Sequence, residues 1–77
     1  MKKVAVVALG KIGLPLAVQF ARSGFEVTGV DVNAETVDKV NAGMVPFPGE
    51  AHLDEYLADV VSSGKLRATT DYGAAIP

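Results

Sequence analysis

The residues best suited to chemistry form a glycine turn between an apolar run and a helical pattern. The turn reads Ala8-Leu9-Gly10-Lys11-Ile12-Gly13 and keeps the second and third glycines of the pattern G-x-G-x-x-G. The second glycine lets the backbone approach a pyrophosphate, and the third lets helix and strand pack closely. A pyrophosphate held here would lie at a helix N-terminus, where free N–H groups and the helix dipole favour negative charge.

The first glycine of the pattern is replaced by Ala8. Alanine is tolerable there if its backbone keeps a negative φ and damaging if φ is positive, because a Cβ disfavours the left-handed region. Lys11, inside the turn, also has two interpretations. It either adds positive charge near the pyrophosphate or is an ordinary solvated lysine.

A single aspartate ends the second apolar run. Asp31 lies 18 residues after Gly13, close to the roughly 20 expected for a carboxylate that binds the adenosine ribose of a dinucleotide. Such a carboxylate accepts hydrogen bonds from the ribose hydroxyls and repels the 2′-phosphate of NADP, and no arginine stands near it. The sequence therefore predicts NAD as the cofactor. The predicted cofactor-binding residues are Gly10, Lys11, Ile12, Gly13 and Asp31. The alternative is an ordinary strand–helix turn followed by a strand-end carboxylate.

A parallel sheet would bring these residues together. Valine-rich or alternating runs predict strands at residues 3–9, 25–32 and 66–70. Apolar residues at helical spacing predict helices at 12–23, 34–42 and 53–63. Asn33 is expected to cap the second helix, and Asp71 a final turn. Glycines are expected to end the three helices: Gly24, Gly43 and Gly64.

The order β-α-β-α-α-β predicts an α/β fold, the N-terminal half of a Rossmann-type NAD-binding domain. In a doubly wound sheet the first strand is central and needs a fourth strand on its other side. The chain stops at Pro77, before such a strand. We therefore expect residues 1–77 to be a truncated part of the domain, with a bare first-strand edge that invites pairing or strand swapping with another chain.

Two expectations concern burial. The first strand is apolar throughout and is expected to be covered on both faces, as in parallel sheets. The first helix is expected to bury one stripe and to expose Gln19 and Arg22. The expected buried stripe is Ile12, Leu16, Ala17, Phe20 and Ala21.

Composition excludes several classes of function. The 77 residues carry a net charge of −2, which lacks the excess of basic residues expected of a protein that binds nucleic acid or an anionic membrane. The absence of cysteine removes disulfides and thiolate sites, and the lone His52 leaves no zinc cluster. No segment approaches the roughly 20 apolar residues that span a bilayer. We expect a cytoplasmic protein without a metal site.

One stretch has a more specific likeness. Leu9–Ala17, LGKIGLPLA, resembles the opening of the nucleotide-sugar 6-dehydrogenases, the UDP-glucose/GDP-mannose dehydrogenase family. Three further stretches match, and the resemblance covers essentially the whole chain. These are Gly29–Asn33, Val40–Gly43 and Ser63–Asp71. Within the family, the pattern is most similar to the dehydrogenases of UDP-N-acetylglucosamine and UDP-N-acetylmannosamine.

The resemblance implies an enzyme that oxidises the C6 alcohol of a UDP-sugar to a carboxylate in two NAD-dependent hydride transfers, for polysaccharide biosynthesis. It also implies a homo-oligomer with a central helix and a UDP-sugar-binding domain, both absent from this chain. Family members place their cysteine nucleophile and its partners later in the chain. We therefore expect no catalytic residue here and no activity from these 77 residues alone.

Some residues depart from the family or have two interpretations. Thr36 stands where many relatives place a lysine that helps to hold the ribose, and this departure and Ala8 are both expected to weaken NAD binding. Glu50 either approaches the nicotinamide or is an acidic helix-start residue. His52 is either an acid–base residue or a surface or capping histidine. The acidic residues of the third helix are expected to form a solvated face: Asp54, Glu55 and Asp59.

Two other functions stay open at this point. The β-hydroxyacid dehydrogenases have a similar first strand and glycine turn, although the Leu14-Pro15 pair and the strand LRATTD argue against them. A nucleotide-sensing or protein-interaction module without catalysis is the alternative from another class.

Overall fold

The fold, seen in a computed structural model that describes residues 2–48 and 52–75, has the predicted order of elements. They are β1 (Lys3–Val7), α1 (Gly13–Arg22), β2 (Glu26–Val30), α2 (Ala34–Asn41), α3 (Leu53–Ser62), β3 (Leu66–Thr69) and α4 (Tyr72–Ala75). Each strand and each of the three longer helices is shorter than predicted by one to three residues. β1, for example, stops before Ala8 because that residue leaves the extended region, with φ +73°.

The three strands form one parallel sheet in the order β1-β2-β3. Val4 stands opposite Val27, which in turn stands opposite Leu66. Within the described residues β1 pairs with β2 alone, and its other edge is unpaired there. The arrangement is that of one half of a Rossmann-type sheet.

The core lies between one face of the sheet and helices α1, α2 and α3. Sheet residues such as Val6, Val27 and Leu66 meet helix residues such as Leu14 and Leu57 there. Burying an aliphatic side chain of this size contributes roughly 1.5–3 kcal/mol. No polar side chain of the described residues is buried in this core, so apolar packing holds the elements that carry the glycine turn.

The expectation that β1 would be covered on both faces is wrong for the part of the chain that the structure describes. Val6 is buried against the helices, but Ala5 is exposed and Val7 is 58% exposed. Side chains alternate between the two faces of a strand, and no described element covers the second face of β1. The continuous apolar run therefore predicted the strand correctly but not the exposure of its second face.

The stripe predicted for α1 is partly wrong. Ala17 and Ala21 are buried as expected, whereas Ile12 is 86% and Leu16 44% exposed. The buried residues of α1 are Leu14, Ala17, Val18 and Ala21. Two causes explain the shift: the helix begins only at Gly13, and it packs against the sheet and α3 together. Phe20 is half-buried and meets Phe25 edge to face, with 5.5 Å between ring centroids.

The helix ends follow the sequence. Gly24, Gly43 and Gly64 all have positive φ after the three longer helices, as predicted for C-terminal glycines. One contact at a helix end was not expected. The Asn41 side chain, at the end of α2, accepts a hydrogen bond from the Ala68 N–H at 2.8 Å and donates one to the Ala68 carbonyl at 2.9 Å. It therefore occupies backbone groups on the edge strand β3.

Candidate functional site

The turn from β1 to α1 begins in a strained conformation. Ala8 has φ +73°, the adverse one of the two possibilities that the sequence left open. For a residue with a Cβ, the left-handed region costs roughly 1–2 kcal/mol. Its backbone is nevertheless anchored to the sheet, because the Ala8 N–H donates to the Val30 carbonyl at 2.7 Å.

The two glycines of the turn have different surroundings. A Cβ built on Gly13 would overlap the Ala8 carbonyl oxygen and lie 3.0 Å from the Ala8 carbonyl carbon. Gly13 therefore allows α1 to start directly against the end of β1, the role predicted for the third glycine. A Cβ on Gly10 would meet nothing within 4 Å. Gly10 faces open space, as expected of a glycine that a ligand approaches.

The N-terminus of α1 has no cap of its own. Ile12 precedes the helix, its side chain makes no capping hydrogen bond, and the first turn holds no acidic residue. The N–H groups of Lys11, Ile12 and Gly13 donate to no residue of the described chain. Three backbone donors without a partner in the described chain therefore lie together at the positive end of a helix dipole, an arrangement that suits an anion.

Asp31 lies immediately next to this turn. Its Oδ2 accepts a hydrogen bond from the Leu9 N–H at 2.9 Å, and its Oδ1 accepts one from the Asn33 N–H at 2.9 Å. The Asp31 N–H donates to the Thr69 carbonyl on β3 at 3.1 Å. The carboxylate is therefore fixed at the carboxyl end of the sheet and half-buried. A carboxylate has about four acceptor positions, so Asp31 keeps capacity for ribose hydroxyls.

The predicted site residues thus come together. The turn and Asp31 share the carboxyl end of β1 and β2, where open α/β sheets bind their ligands. The free donors, the open space at Gly10 and the adjacent carboxylate fit the pyrophosphate and adenosine ribose of NAD. The hydrogen bond between Asp31 and Leu9 was not foreseen, because no sequence signal shows which backbone N–H a carboxylate accepts from.

The structure does not place the other polar candidates in the group formed by the glycine turn and Asp31. The Thr36 N–H donates to the Asn33 side chain, so Thr36 belongs to the capped first turn of α2. His52 is exposed, has φ +69° and makes no capping hydrogen bond through its side chain, which favours the surface interpretation. Asp54 accepts a hydrogen bond from the Val45 N–H at 3.3 Å. Glu50 lies outside the described residues.

A pocket of about 160 Å³ lies at the other end of α1. It is lined by Leu16, Gln19, Phe20, Ser23 and Phe25. Phe25 directly precedes β2, so this pocket lies at the amino end of the sheet, opposite the carboxyl end that holds the glycine turn. It is therefore not part of the candidate cofactor site.

Residues 2–48 and 52–75 contain no group of three or more side chains that could hold a metal ion. No helix in that part of the chain is long and apolar enough to cross a membrane.

Comparison with known proteins agrees with the geometry. Residues 2–77 match the family model described as "UDP-glucose/GDP-mannose dehydrogenase family, NAD binding domain". The chain is 43% identical over 67 residues to UDP-N-acetyl-D-mannosamine dehydrogenase of Pyrococcus horikoshii, covering 87% of this chain and 16% of that protein. It therefore spans about a sixth of the length of such relatives.

Solved structures show the same likeness. The UDP-N-acetyl-mannosamine dehydrogenase from S. aureus superimposes with a TM-score of 0.84 at 45% identity, over 90% of this chain and 16% of that one. A ternary complex of GDP-mannose dehydrogenase from Pseudomonas aeruginosa gives a TM-score of 0.90 at 33% identity, over 99% of this chain and 17% of that one. The chain belongs to the UDP-glucose/GDP-mannose dehydrogenase family, with its glycine turn and Asp31 in that family's NAD-binding domain.

Proposed function

We propose that this chain supplies the pyrophosphate- and ribose-binding half of the NAD site in a nucleotide-sugar 6-dehydrogenase. The full-length enzyme oxidises the C6 alcohol of a UDP-sugar, a UDP-N-acetylhexosamine, to the uronate with two molecules of NAD. When bound, NAD supplies the hydride acceptor. The residues of this chain bind and orient it and carry no catalytic group.

The observation that carries the proposal is the uncapped N-terminus of α1. The N–H groups of Lys11, Ile12 and Gly13 are free in the described chain, and Gly10 leaves space in front of them. These donors hold the pyrophosphate. Asp31, fixed beside them, accepts hydrogen bonds from the adenosine ribose and disfavours the 2′-phosphate of NADP.

The relatives support a UDP-N-acetylhexosamine as the proposed substrate. UDP-N-acetyl-D-mannosamine dehydrogenases are among the similar proteins, at 43% and 46% identity, although GDP-mannose 6-dehydrogenases also match, at 38%. Family membership also makes the β-hydroxyacid alternative unnecessary. We further propose that the full-length protein is a cytoplasmic homo-oligomer, and that residues 1–77 are inactive on their own.

Titration calorimetry of NAD and NADP against the full-length protein tests the cofactor site. We expect wild type to prefer NAD, and Asp31→Asn to bind NAD about 10- to 100-fold more weakly, since hydrogen bonds to a charged group contribute roughly 1.5–3 kcal/mol. Asp38→Asn removes an exposed carboxylate from α2 and serves as the matched control, with NAD affinity unchanged.

Equal NAD affinity in wild type and Asp31→Asn would remove the proposed role of Asp31.

A panel of UDP- and GDP-sugars, assayed by NADH formation, tests the activity. We expect two NADH for each UDP-N-acetylhexosamine consumed. No NADH from any nucleotide sugar would overturn the proposed reaction.

A further inference from the structure

The glycine turn holds a conformation that its own sequence disfavours. Ala8 keeps φ +73° although it bears a Cβ, so something outside the residue must maintain it. Two backbone N–H groups attach this part of the turn. The Ala8 N–H donates to Val30, and the next one, Leu9 N–H, donates to the Asp31 carboxylate.

The Asp31 contact is unusual among those of the turn. In the described parts of the chain, no other side chain hydrogen-bonds the backbone of residues 8–13. The peptide that it holds joins Ala8 to Leu9, and the Ala8 carbonyl on that peptide is the group that faces Gly13 at the start of α1. Rotation of this peptide would therefore move the start of α1 and its free N–H groups.

The side chain of Leu9 also anchors this part of the turn, by packing against β2. Leu9 is 1% exposed, and a Cβ on Gly29 would lie 2.7 Å from its Cδ2. Leu9 therefore fills the space that Gly29 leaves on β2. This packing holds the Leu9 side chain, whereas the hydrogen bond to Asp31 Oδ2 holds the peptide N–H that precedes it.

We propose that Asp31 is a positioning residue for the pyrophosphate turn as well as a ribose ligand. Its Oδ2 holds the Ala8–Leu9 peptide and so keeps Ala8 in the left-handed conformation. This in turn keeps the free N–H groups of α1 directed at the phosphates. The inference rests on the proposed NAD site. Its consequence follows from alanine at position 8, which makes pyrophosphate binding depend on Asp31; glycine would relieve this dependence.

A ligand without ribose hydroxyls separates the two roles. The probes are ADP and 2′,3′-dideoxyadenosine diphosphate, titrated against the full-length protein. In Asp31→Ala we expect the dideoxy compound to bind about tenfold more weakly, although removal of a negative charge should by itself favour an anion. Asp38→Ala makes the same change of charge away from the turn, and its affinity for the dideoxy compound should not fall.

Two rescue variants complete the test. Asp31→Asn keeps an oxygen that accepts from the Leu9 N–H, so it should retain most of the dideoxy-ADP affinity. Ala8→Gly combined with Asp31→Ala should recover most of the tenfold loss, because glycine adopts positive φ freely. Hydrogen exchange of the ligand-free protein gives an independent readout: the Leu9 amide should exchange faster in Asp31→Ala than in Asp38→Ala.

The outcomes are distinguishable. If wild type binds neither NAD nor ADP, the proposed function fails and this inference with it. If wild type binds NAD but Asp31→Ala keeps full affinity for dideoxy-ADP, or protects the Leu9 amide as well as wild type does, Asp31 is a ribose ligand only. A loss that Ala8→Gly does not reduce would also overturn the link to the strained turn.

Discussion

Helices α1 and α2 both begin at the carboxyl end of a parallel strand, yet their N-termini differ. At α2, the Asn33 side chain accepts hydrogen bonds from the N–H groups of Glu35 and Thr36 at 2.9 and 3.3 Å, and Glu35 adds a negative charge to the first turn. At α1, no side chain caps the helix and the first turn has no acidic residue.

The difference shows how one fold assigns two tasks to equivalent positions. The first N–H groups of a helix need an acceptor from a side chain, water or a ligand. α2 satisfies two of its groups internally, so these two donors are not available to a ligand. α1 leaves its donors without a partner in the described chain, which costs stability in the absence of a ligand but keeps them available to an anion. Three substitutions test this contrast, in order of decreasing expected effect.

Gly13→Ala should have the largest effect. The new Cβ would overlap the Ala8 carbonyl, and backbone on both sides cannot yield easily. We expect a loss of about 3 kcal/mol in the free energy of unfolding, measured by urea denaturation, and loss of NAD binding. Gly10→Ala is the matched control, since its Cβ meets nothing within 4 Å. It should leave stability nearly unchanged and weaken only NAD binding; equal stability losses would contradict this distinction.

Asn33→Ala removes the cap of α2. We expect a loss of about 1 kcal/mol in the free energy of unfolding, typical for an N-cap residue, with NAD affinity unchanged. The backbone N–H of residue 33 still donates to Asp31, so the carboxylate proposed to bind the ribose keeps its position. A stable Asn33→Ala protein with weakened NAD binding would show that α2 does not have a purely structural terminus.

Ile12→Asp places a negative charge at the free N-terminus of α1, on a side chain that is 86% exposed. We expect the ligand-free protein to gain about 0.3–1 kcal/mol from the helix dipole. NAD should bind more weakly, because the carboxylate repels the pyrophosphate that uses the same donors. Ile12→Asn, uncharged and of the same shape, should weaken binding less. Tighter NAD binding in Ile12→Asp would place the pyrophosphate elsewhere.

Much of the fold could be predicted from the sequence because the relevant signals are local. Asn33 and the C-terminal glycines have fixed positions relative to a helix, and their roles were confirmed by hydrogen bonds and positive φ. Gly13 and Asp31 could be placed because strand, turn and helix must meet at one end of a parallel sheet. The α1 stripe was partly wrong because burial depends on which neighbours a helix meets, and periodicity does not report that.

The site was less predictable in detail. The sequence could state the two alternatives for Ala8 but could not choose between them, because φ at one residue depends on contacts made 22 residues away, such as that between Leu9 and Asp31. The hydrogen bonds between the Asn41 side chain and Ala68 on β3 had no local signal for the same reason, because the two residues are 27 positions apart.

The hydrogen bonds of Asn41 make the two outer edges of the sheet unequal. A strand that approached the outer edge of β3 would find the Ala68 N–H and carbonyl already bonded to Asn41, and would have to displace an amide that matches both groups. The outer edge of β1 offers no such obstacle in the described chain. Asn41 therefore blocks this part of the β3 edge, whereas the β1 edge is open to a further strand in the described chain.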